Sequence, residues 1–364
     1  MTSSEQTDTT DDLGIAHLAE HLTPEWVTGA LRRAGHDVTV TRIEQQQVGT
    51  GQMGTSIRLT MEIEGDRGEL PETIVAKLPT PDVSNRAMVA GIYRTEVEFY
   101  RQLAPTVAVR TPHCYYADLG PTWTEFVLLL EDLAPREQGD QIQGCSVDEA
   151  RLGVVNLAGL HGPRWCDPTL TDHEWMQIIA GDGAEMIGLV MRDATNRFLE
   201  RYADRLEDQD KELLDQIPER LPAWILARPE RFAPIHGDYR LDNLLFGDGG
   251  DPIATVDWQT ITLGLPARDL AYFLSTGLSV EDRRAHEDEL IERYHDALVE
   301  YGVAEHSLEQ CRDDYRFSML QGPLITIVGA AYGTPTERGD AMFVTMATRS
   351  AQAIRDLGTL EMPG

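Results

Sequence analysis

With 364 residues, 41% of them hydrophobic and 25% charged, the chain has material for a substantial interior but is too long for one core, so two unequal lobes are expected. Acids outnumber bases by 61 to 31, and a net charge of −30 repels nucleic-acid phosphates and anionic lipid headgroups, which excludes nucleic acid as the expected partner. No apolar run approaches the ~18 residues of a bilayer span. The start of the chain has no basic or apolar leader, and Cys114, Cys145, Cys166 and Cys311 form no C-x-x-C pair, so the expectation is a cytoplasmic protein without membrane insertion.

Met1 to Asp12 is rich in Ser, Thr and Asp and reads as a disordered tail. From Pro24 to Gly35, Trp26, Val27, Ala30 and Leu31 recur at helical spacing. The period then changes to two: Val38 and Val40 alternate, a glycine-bearing turn covers Gly49 to Gly54, and Ile57, Leu59, Met61 and Ile63 alternate again, which predicts a hairpin. Ile74 to Leu78 is a short apolar strand ending at Pro79, the pattern after Asn85 is helical through Leu103, and Phe126 to Leu130 is a continuous apolar strand. Ser146 and Glu149 have capping-box spacing and open a helix to His161. Helical patterns follow around Asp182 to Arg205, Lys211 to Ala227, Val280 to Tyr301 and Leu308 to Gly329, interrupted by a strand-loop-strand unit over Ile235 to Thr260. The lobe boundary is expected within Leu133 to Gly144, which gives a tail over 1–12, a first, nucleotide-binding lobe over 13–133, and a second lobe over 134–364 with the catalytic loop and substrate-binding helices.

The strongest chemical signal is His236-Gly237-Asp238-Tyr239-Arg240-Leu241-Asp242-Asn243, followed after a glycine turn by Val256-Asp257-Trp258. Phosphoryl transfer needs a carboxylate to accept an alcohol proton and oxygen ligands to hold Mg²⁺ on nucleotide phosphates. Asp238 supplies the first; Asn243 and Asp257 supply the second, at the spacing of a kinase catalytic loop. Arg240 lies between them, where a cation can stabilise the transferring phosphoryl group, and Asp242 reads as a turn or backbone-capping residue. Gly49, Gly51 and Gly54 form G-x-G-x-x-G ahead of an alternating strand, which points to a nucleotide-covering hairpin and away from a Rossmann turn. Ser56 stands where protein kinases have valine. The chain has only two lysines, Lys77 and Lys211, and Lys77 sits in the strand where a lysine would pair the α- and β-phosphates of ATP.

These motifs resemble the aminoglycoside phosphotransferase and choline-kinase superfamily, whose catalytic loop has His-Gly-Asp. The triplet Asp257-Trp258-Gln259 and the run Leu129-Leu130-Glu131-Asp132-Leu133 are similar to its ecdysteroid-kinase-like branch and to phosphotransferase domains associated with acyl-CoA dehydrogenases. The resemblance implies an α+β, bilobal protein-kinase-like fold, with an antiparallel sheet plus helix in the N-lobe and a mostly helical C-lobe. It further implies Glu96 as ion-pair partner of Lys77 in preference to Glu98, Glu131 and Leu133 as nucleotide-binding positions, and Asp269 as a brace for the catalytic loop.

The cofactors expected are ATP and Mg²⁺, and the partner a small-molecule alcohol. Ala-Pro-Glu is absent and eleven residues separate Asp257 from Asp269, too few for a regulated activation loop, which argues against a protein acceptor. An aminoglycoside-like cation, a lipophilic alcohol and a hydroxyacyl-CoA stand as acceptor classes, with the hydroxylated lipophilic or acyl metabolite ahead. The contrasting possibility is a non-catalytic nucleotide-binding pseudokinase or scaffold. His17-Leu18-Ala19-Glu20-His21 has the H-x-x-E-H pattern of a metalloprotease but no defined third ligand.

Overall fold

The computed structural model describes residues 13–49, 53–248, 250 and 252–362, so Gly51 and the tail expected over 1–12 lie outside the described residues. Two compact units emerge. The first runs to Gln102 and resumes over Pro112–Leu133; the second takes Leu103–Thr111 and everything from Ala134 onward. The segment Leu103–Thr111, assigned by sequence to the first lobe, thus belongs to the second unit, where Ala108 N donates to Gly159 O at 2.8 Å and Thr255 N to Arg110 O at 2.8 Å.

In the first unit, helix α1 (Pro24–Arg33) precedes strands β1 (Val38–Val48), β2 (Gly54–Gly65) and β3 (Thr73–Pro79), helix α2 (Val83–Glu98), and strands β4 (Cys114–Leu119) and β5 (Phe126–Glu131). The strands form one antiparallel sheet in the order β1-β2-β3-β5-β4. Trp26, Val27, Ala30 and Leu31 of α1 cover one face through Val40, Leu59, Ile74, Ala76, Val127 and Leu129. On the other residue set of β5, Phe126 packs on Tyr93 of α2 with ring centroids 4.7 Å apart. Both faces of β5 are covered, which explains its unbroken apolar sequence. Sequence periodicity gave no sign of β4: all six of its residues are half-buried, so it lacks the in-out alternation that betrays a strand.

In the second unit the short strand β6 (Glu137–Gln138) is followed by helices α3 (Val147–His161), α4 (Gly181–Arg201) and α5 (Asp208–Leu226). Strands β7 (Ala233–Ile235), β8 (Leu244–Phe246), β9 (Ile253–Thr255) and β10 (Thr262–Gly264) come next, and helices α6 (Ala267–Gly277), α7 (Val280–Glu300), α8 (Leu308–Phe317), α9 (Gln321–Tyr332) and α10 (Glu337–Leu357) complete the chain. Ser146 and Glu149 form the expected capping box on α3. The single helix expected over Leu308 to Gly329 is instead two, divided by a 3₁₀ turn at Ser318–Leu320 just before Pro323, whose ring cannot accommodate an undisturbed carbonyl four residues earlier. Every residue of α6 is buried, and α3, α7, α8, α9 and α10 all pack against it. This central helix carries Asp269 and Tyr272, which bond to the loop over His236–Asp238. No described helix is long and apolar enough to cross a membrane.

Candidate active site

In the first unit, Lys77 and Glu96 are brought together. The ladder of β3 fixes Lys77 opposite Ser56 on β2 and Leu128 on β5, and its Nζ lies 2.6 Å from Glu96 Oε1, a carboxylate side chain only 1% exposed. Glu98 turns elsewhere and accepts a bond from Gln102 Nε2 at 2.5 Å, as two positions of one helix ~200° apart must differ. Gly49 follows β1 with φ +73°. Gly54 opens β2 so close to β3 that a Cβ there would stand 2.8 Å from Leu78 O, so the second of these glycines is required by strand approach. Glu131 ends β5, and its Oε2 accepts from His113 N at 3.0 Å; Leu133, two residues on, is buried. Asp132 between them is held by Arg58 at 2.6 and 3.0 Å.

In the second unit, the loop expected to be catalytic follows β7 and has no ladder of its own over His236–Arg240, so its backbone groups must find other partners. Asp269 of α6 supplies them: its two carboxylate oxygens accept from His236 N at 2.6 Å and Gly237 N at 2.9 Å. Behind Asp269 stands His161, fully buried, with one ring nitrogen 3.4 Å from Asp269 Oδ2 and the other 2.7 Å from Tyr294 OH. Gly237 has φ +80°, and a Cβ would lie 2.7 Å from Thr260 O, so both conformation and space demand glycine. His236 Nδ1 accepts from Asp238 N at 3.3 Å, which places the ring proton on Nε2, where it donates to Val256 O at 3.1 Å. One imidazole therefore joins the loop to the strand that leads into Asp257.

The loop brings Asp238, Arg240 and Asn243 together. Asp238 Oδ1 accepts from Tyr272 OH at 2.9 Å; Oδ2 accepts from Arg240 Nε at 3.1 Å and from Asn243 Nδ2 at 3.0 Å. Asn243 Nδ2 donates also to Asp238 O at 2.9 Å, which commits the amide nitrogen and leaves the carbonyl Oδ1 without a hydrogen bond among the described residues. Val256 N donates to Asn243 O at 3.0 Å, so Asp257 follows directly on a residue fastened to Asn243. Asp257 adopts φ 67°, a left-handed conformation that Asp and Asn tolerate best among residues with a side chain, and the next residue, Trp258, is buried against His236 at 4.7 Å between ring centroids.

Sequence reasoning missed Tyr272, although it lies three positions after Asp269 and so shares that face of α6. It also missed the surroundings of Asp242. This carboxylate accepts from Gln141 N at 3.1 Å, in keeping with a backbone-capping role, and in addition from Arg240 Nη1 at 2.8 Å and from both Nη1 and Nη2 of Arg338, each at 3.0 Å. Burial alone would raise the Asp242 pKa, but the bonds to Arg338 and the charge of Arg240 outweigh it and hold the group below its ordinary value of 3.8. For Arg240 burial likewise opposes the charge, and Asp238 and Asp242 more than offset it, so its pKa is raised. Its Nη1 also reaches Met342 Sδ at 3.2 Å, whereas Nη2 has no partner among the described residues. No group of three or more His, Cys, Asp or Glu side chains able to hold a metal occurs among the described residues.

Residues 49–304 match the ecdysteroid kinase-like family. The chain belongs to that family. It is therefore a small-molecule kinase, a phosphotransferase that modifies hydroxyl groups. A 58-residue stretch is 45% identical to mouse (Mus musculus) acyl-CoA dehydrogenase family member 10, spanning 15% of this chain and 5% of that protein. Among solved structures, choline kinase from Cryptosporidium parvum Iowa II superposes with a TM-score of 0.56 at 14% identity, covering 87% of this chain and 91% of that one. Plasmodium vivax ethanolamine kinase gives 0.51 at 13% identity, covering 89% and 86%. The GDP complex of aminoglycoside 2'-phosphotransferase-IIIa gives 0.52 at 14% identity, covering 90% and 98%. At these identities the likeness establishes the fold: the α+β kinase-like architecture expected from the motifs.

Proposed function

We propose that this family member transfers the γ-phosphoryl group of ATP, with Mg²⁺, to a hydroxyl of a hydroxylated lipophilic or acyl metabolite. The observation that carries the reading is the state of Asp238: a carboxylate oriented by Tyr272, Arg240 and Asn243, beside an Asn243 Oδ1 and an Arg240 Nη2 that have no protein partner among the described residues. The donor set suits Mg²⁺. Asn243 Oδ1 and the Asp257 carboxylate are hard oxygens, few enough to leave the remaining positions of an octahedral ion to phosphates and water. When bound, the ion neutralises charge on the β- and γ-phosphate oxygens.

This chain's own residues supply the rest. Asp238 orients the acceptor hydroxyl and takes its proton as the new O–P bond forms; the bond from the γ-phosphorus to the bridging oxygen breaks, and ADP leaves. Because such transition states are loose, orientation matters more than base strength, which suits a carboxylate already bonded to three donors. Arg240 Nη2 is the donor for the equatorial oxygens of the transferring group. Lys77, steadied by Glu96, binds the α- and β-phosphates, the glycines of the G-x-G-x-x-G motif serve the nucleotide, and Glu131 and Leu133 flank its base. Four cysteines free of disulfides are in keeping with a reducing, cytoplasmic location.

The acceptor class is supported by what surrounds the base. Tyr272 packs with Met342 and Met346, and Ile142, Ile325 and Phe343 lie half-buried against them, an apolar group suited to a lipophilic acceptor. The short match to an acyl-CoA dehydrogenase family member favours an acyl metabolite within that class. The test is Mg²⁺-dependent release of ADP from ATP, or of GDP from GTP, across hydroxylated lipids, hydroxyacyl thioesters and aminoglycosides. Turnover with a lipid or thioester, abolished by Asp238→Ala, is expected; release with aminoglycosides alone would reverse the acceptor assignment, and full activity in Asp238→Ala would remove the mechanism.

A further inference from the structure

Helix α10 lies beyond residue 304, outside the stretch that matches the family, and no motif in the sequence marks it. One of its faces nevertheless meets the catalytic loop. Arg338, Met342, Met346 and Arg349 recur at helical spacing, and each has a partner in or beside that loop. Arg338 grips Asp242 with both terminal nitrogens, Met342 Sδ accepts from Arg240, and Met342 and Met346 pack on Tyr272, the donor to Asp238. Arg349 donates to Gln141 O at 3.1 Å, Thr276 O at 3.0 Å and Ile142 O at 3.0 Å, which seats the helix on the segment that also caps Asp242.

The arrangement at Asp242 determines what Arg240 can do. Arg240 stands between two carboxylates: Nε faces Asp238 and Nη1 faces Asp242. An Asp242 without another cation would draw Arg240 toward itself, a competition that a buried setting strengthens. The planar fork of Arg338 satisfies both Asp242 oxygens at once, each at 3.0 Å, which lysine could not reproduce as two parallel bonds. Asp242 is then a neutralised abutment, and Arg240 keeps its Nε on Asp238 and its Nη2 open.

We propose that Arg338 is a positioning residue for phosphoryl transfer: by holding Asp242 in a two-pronged ion pair, it sets Arg240 so that one guanidinium nitrogen aligns Asp238 and another faces the transferring phosphoryl group. The proposal rests on the assignment of Asp238 and Arg240 above and extends the site to a helix that no family motif reaches. Arg338 is itself half-exposed, with a side chain 54% accessible, so its replacement leaves no buried void.

The experiment uses the full chain and the slow hydrolysis of Mg-ATP by water, which needs no identified acceptor, together with binding of ADP alone and of ADP with aluminium fluoride as a mimic of the transferring group. Arg338→Gln should lower kcat by about 10- to 100-fold, the range expected when a group at the reacting centre is misplaced by about an ångström. KM for ATP and the affinity for ADP alone should stay within about twofold, the ADP–aluminium fluoride complex should weaken in step with kcat, and Arg338→Lys should recover only part of the loss. In an Asp242→Asn background, which removes the carboxylate that Arg338 restrains, Arg338→Gln should cost little more. The inference is overturned if Arg338→Gln lowers the melting temperature without moving kcat, or if its effect is undiminished in the Asp242→Asn background. Asp238→Asn separates the two levels: if it leaves hydrolysis unchanged, the reading of the site fails and this inference with it, whereas if it abolishes hydrolysis while Arg338→Gln leaves kcat unchanged, only the inference fails.

Discussion

The strand that carries Lys77 and the loop that carries Asp238 are fixed in opposite ways. β3 is bonded on both sides by neighbouring strands, so backbone pairing sets where Lys77 points, and an ion pair to Glu96 steadies its tip. The loop from His236 to Asn243 has no such frame. Its backbone is satisfied by side chains from distant parts of the chain: Asp269 for two amides, Gln141 Oε1 for Leu241 N at 2.8 Å, Gln321 Nε2 for Gly237 O at 3.2 Å, and Gln138 for Asp242 O. A ladder tolerates the loss of one side chain, whereas a loop supported by individual side chains does not.

The largest test of that contrast is Asp269→Ala. It strips two buried amides and His161 of their partner, and with ~1–3 kcal/mol for each unsatisfied group the cost should reach about 3–5 kcal/mol, read as a fall in the urea midpoint with loss of turnover. A change of less than about 1 kcal/mol would show that the loop has other support. On the ladder side, Lys77→Met should leave the urea midpoint of the second unit in place while weakening Mg-ATP by about 2 kcal/mol, roughly thirtyfold, in a binding titration. Unchanged affinity would take Lys77 out of the site.

A smaller effect follows from acid. Because the folded-state pKa of Asp242 lies below its ordinary 3.8, its contribution is complete above that pH and is lost as pH falls through the depressed value. Melting temperatures followed from pH 6 toward pH 3 should therefore fall more steeply in the parent than in Asp242→Asn below about pH 4, and equal slopes would mean the carboxylate contributes no such linkage. The smallest signal is kinetic. Burial pushes the thiols of Cys114, Cys145 and Cys311 up to about 12, so iodoacetamide at pH 8 should label them slowly in the native protein. In rising urea, Cys114 reports on the sheet and Cys145 and Cys311 on the helical unit; simultaneous labelling would show that the two units open together.

The same contrast explains what was legible in the sequence. Lys77 and the strands around it follow from period-two alternation and one polar residue in an apolar run, whereas Glu96 comes from the family resemblance. Asp238, Asn243 and Asp257 were legible through fixed spacing, a property of the loop's own chemistry. Of its supports Asp269 comes from the resemblance; the others were not legible, because the partners lie as far apart in sequence as Asp242 and Gln141 or Asp242 and Arg338, and periodicity carries no information on such pairs. Helix α10 was missed for a local reason: much of its buried face consists of Ala347, Ser350, Ala351 and Ala353, too small to stand out as an apolar stripe. β4 was missed because a half-buried edge strand has no alternation to detect.

The seat that Arg349 takes on the carbonyls of Gln141, Ile142 and Thr276 bears on how this enzyme should be cut for expression. A fragment trimmed to the stretch of family similarity would end at residue 304 and discard Arg338, Arg349 and the whole of α8 to α10. It would expose the packed surface of α6, leave the carbonyls of Gln141, Ile142 and Thr276 without Arg349, and deprive the buried Asp242 of its two-pronged partner Arg338. Homology boundaries and folding boundaries therefore diverge in this chain, and truncation libraries should keep the C-terminal helices through Leu357.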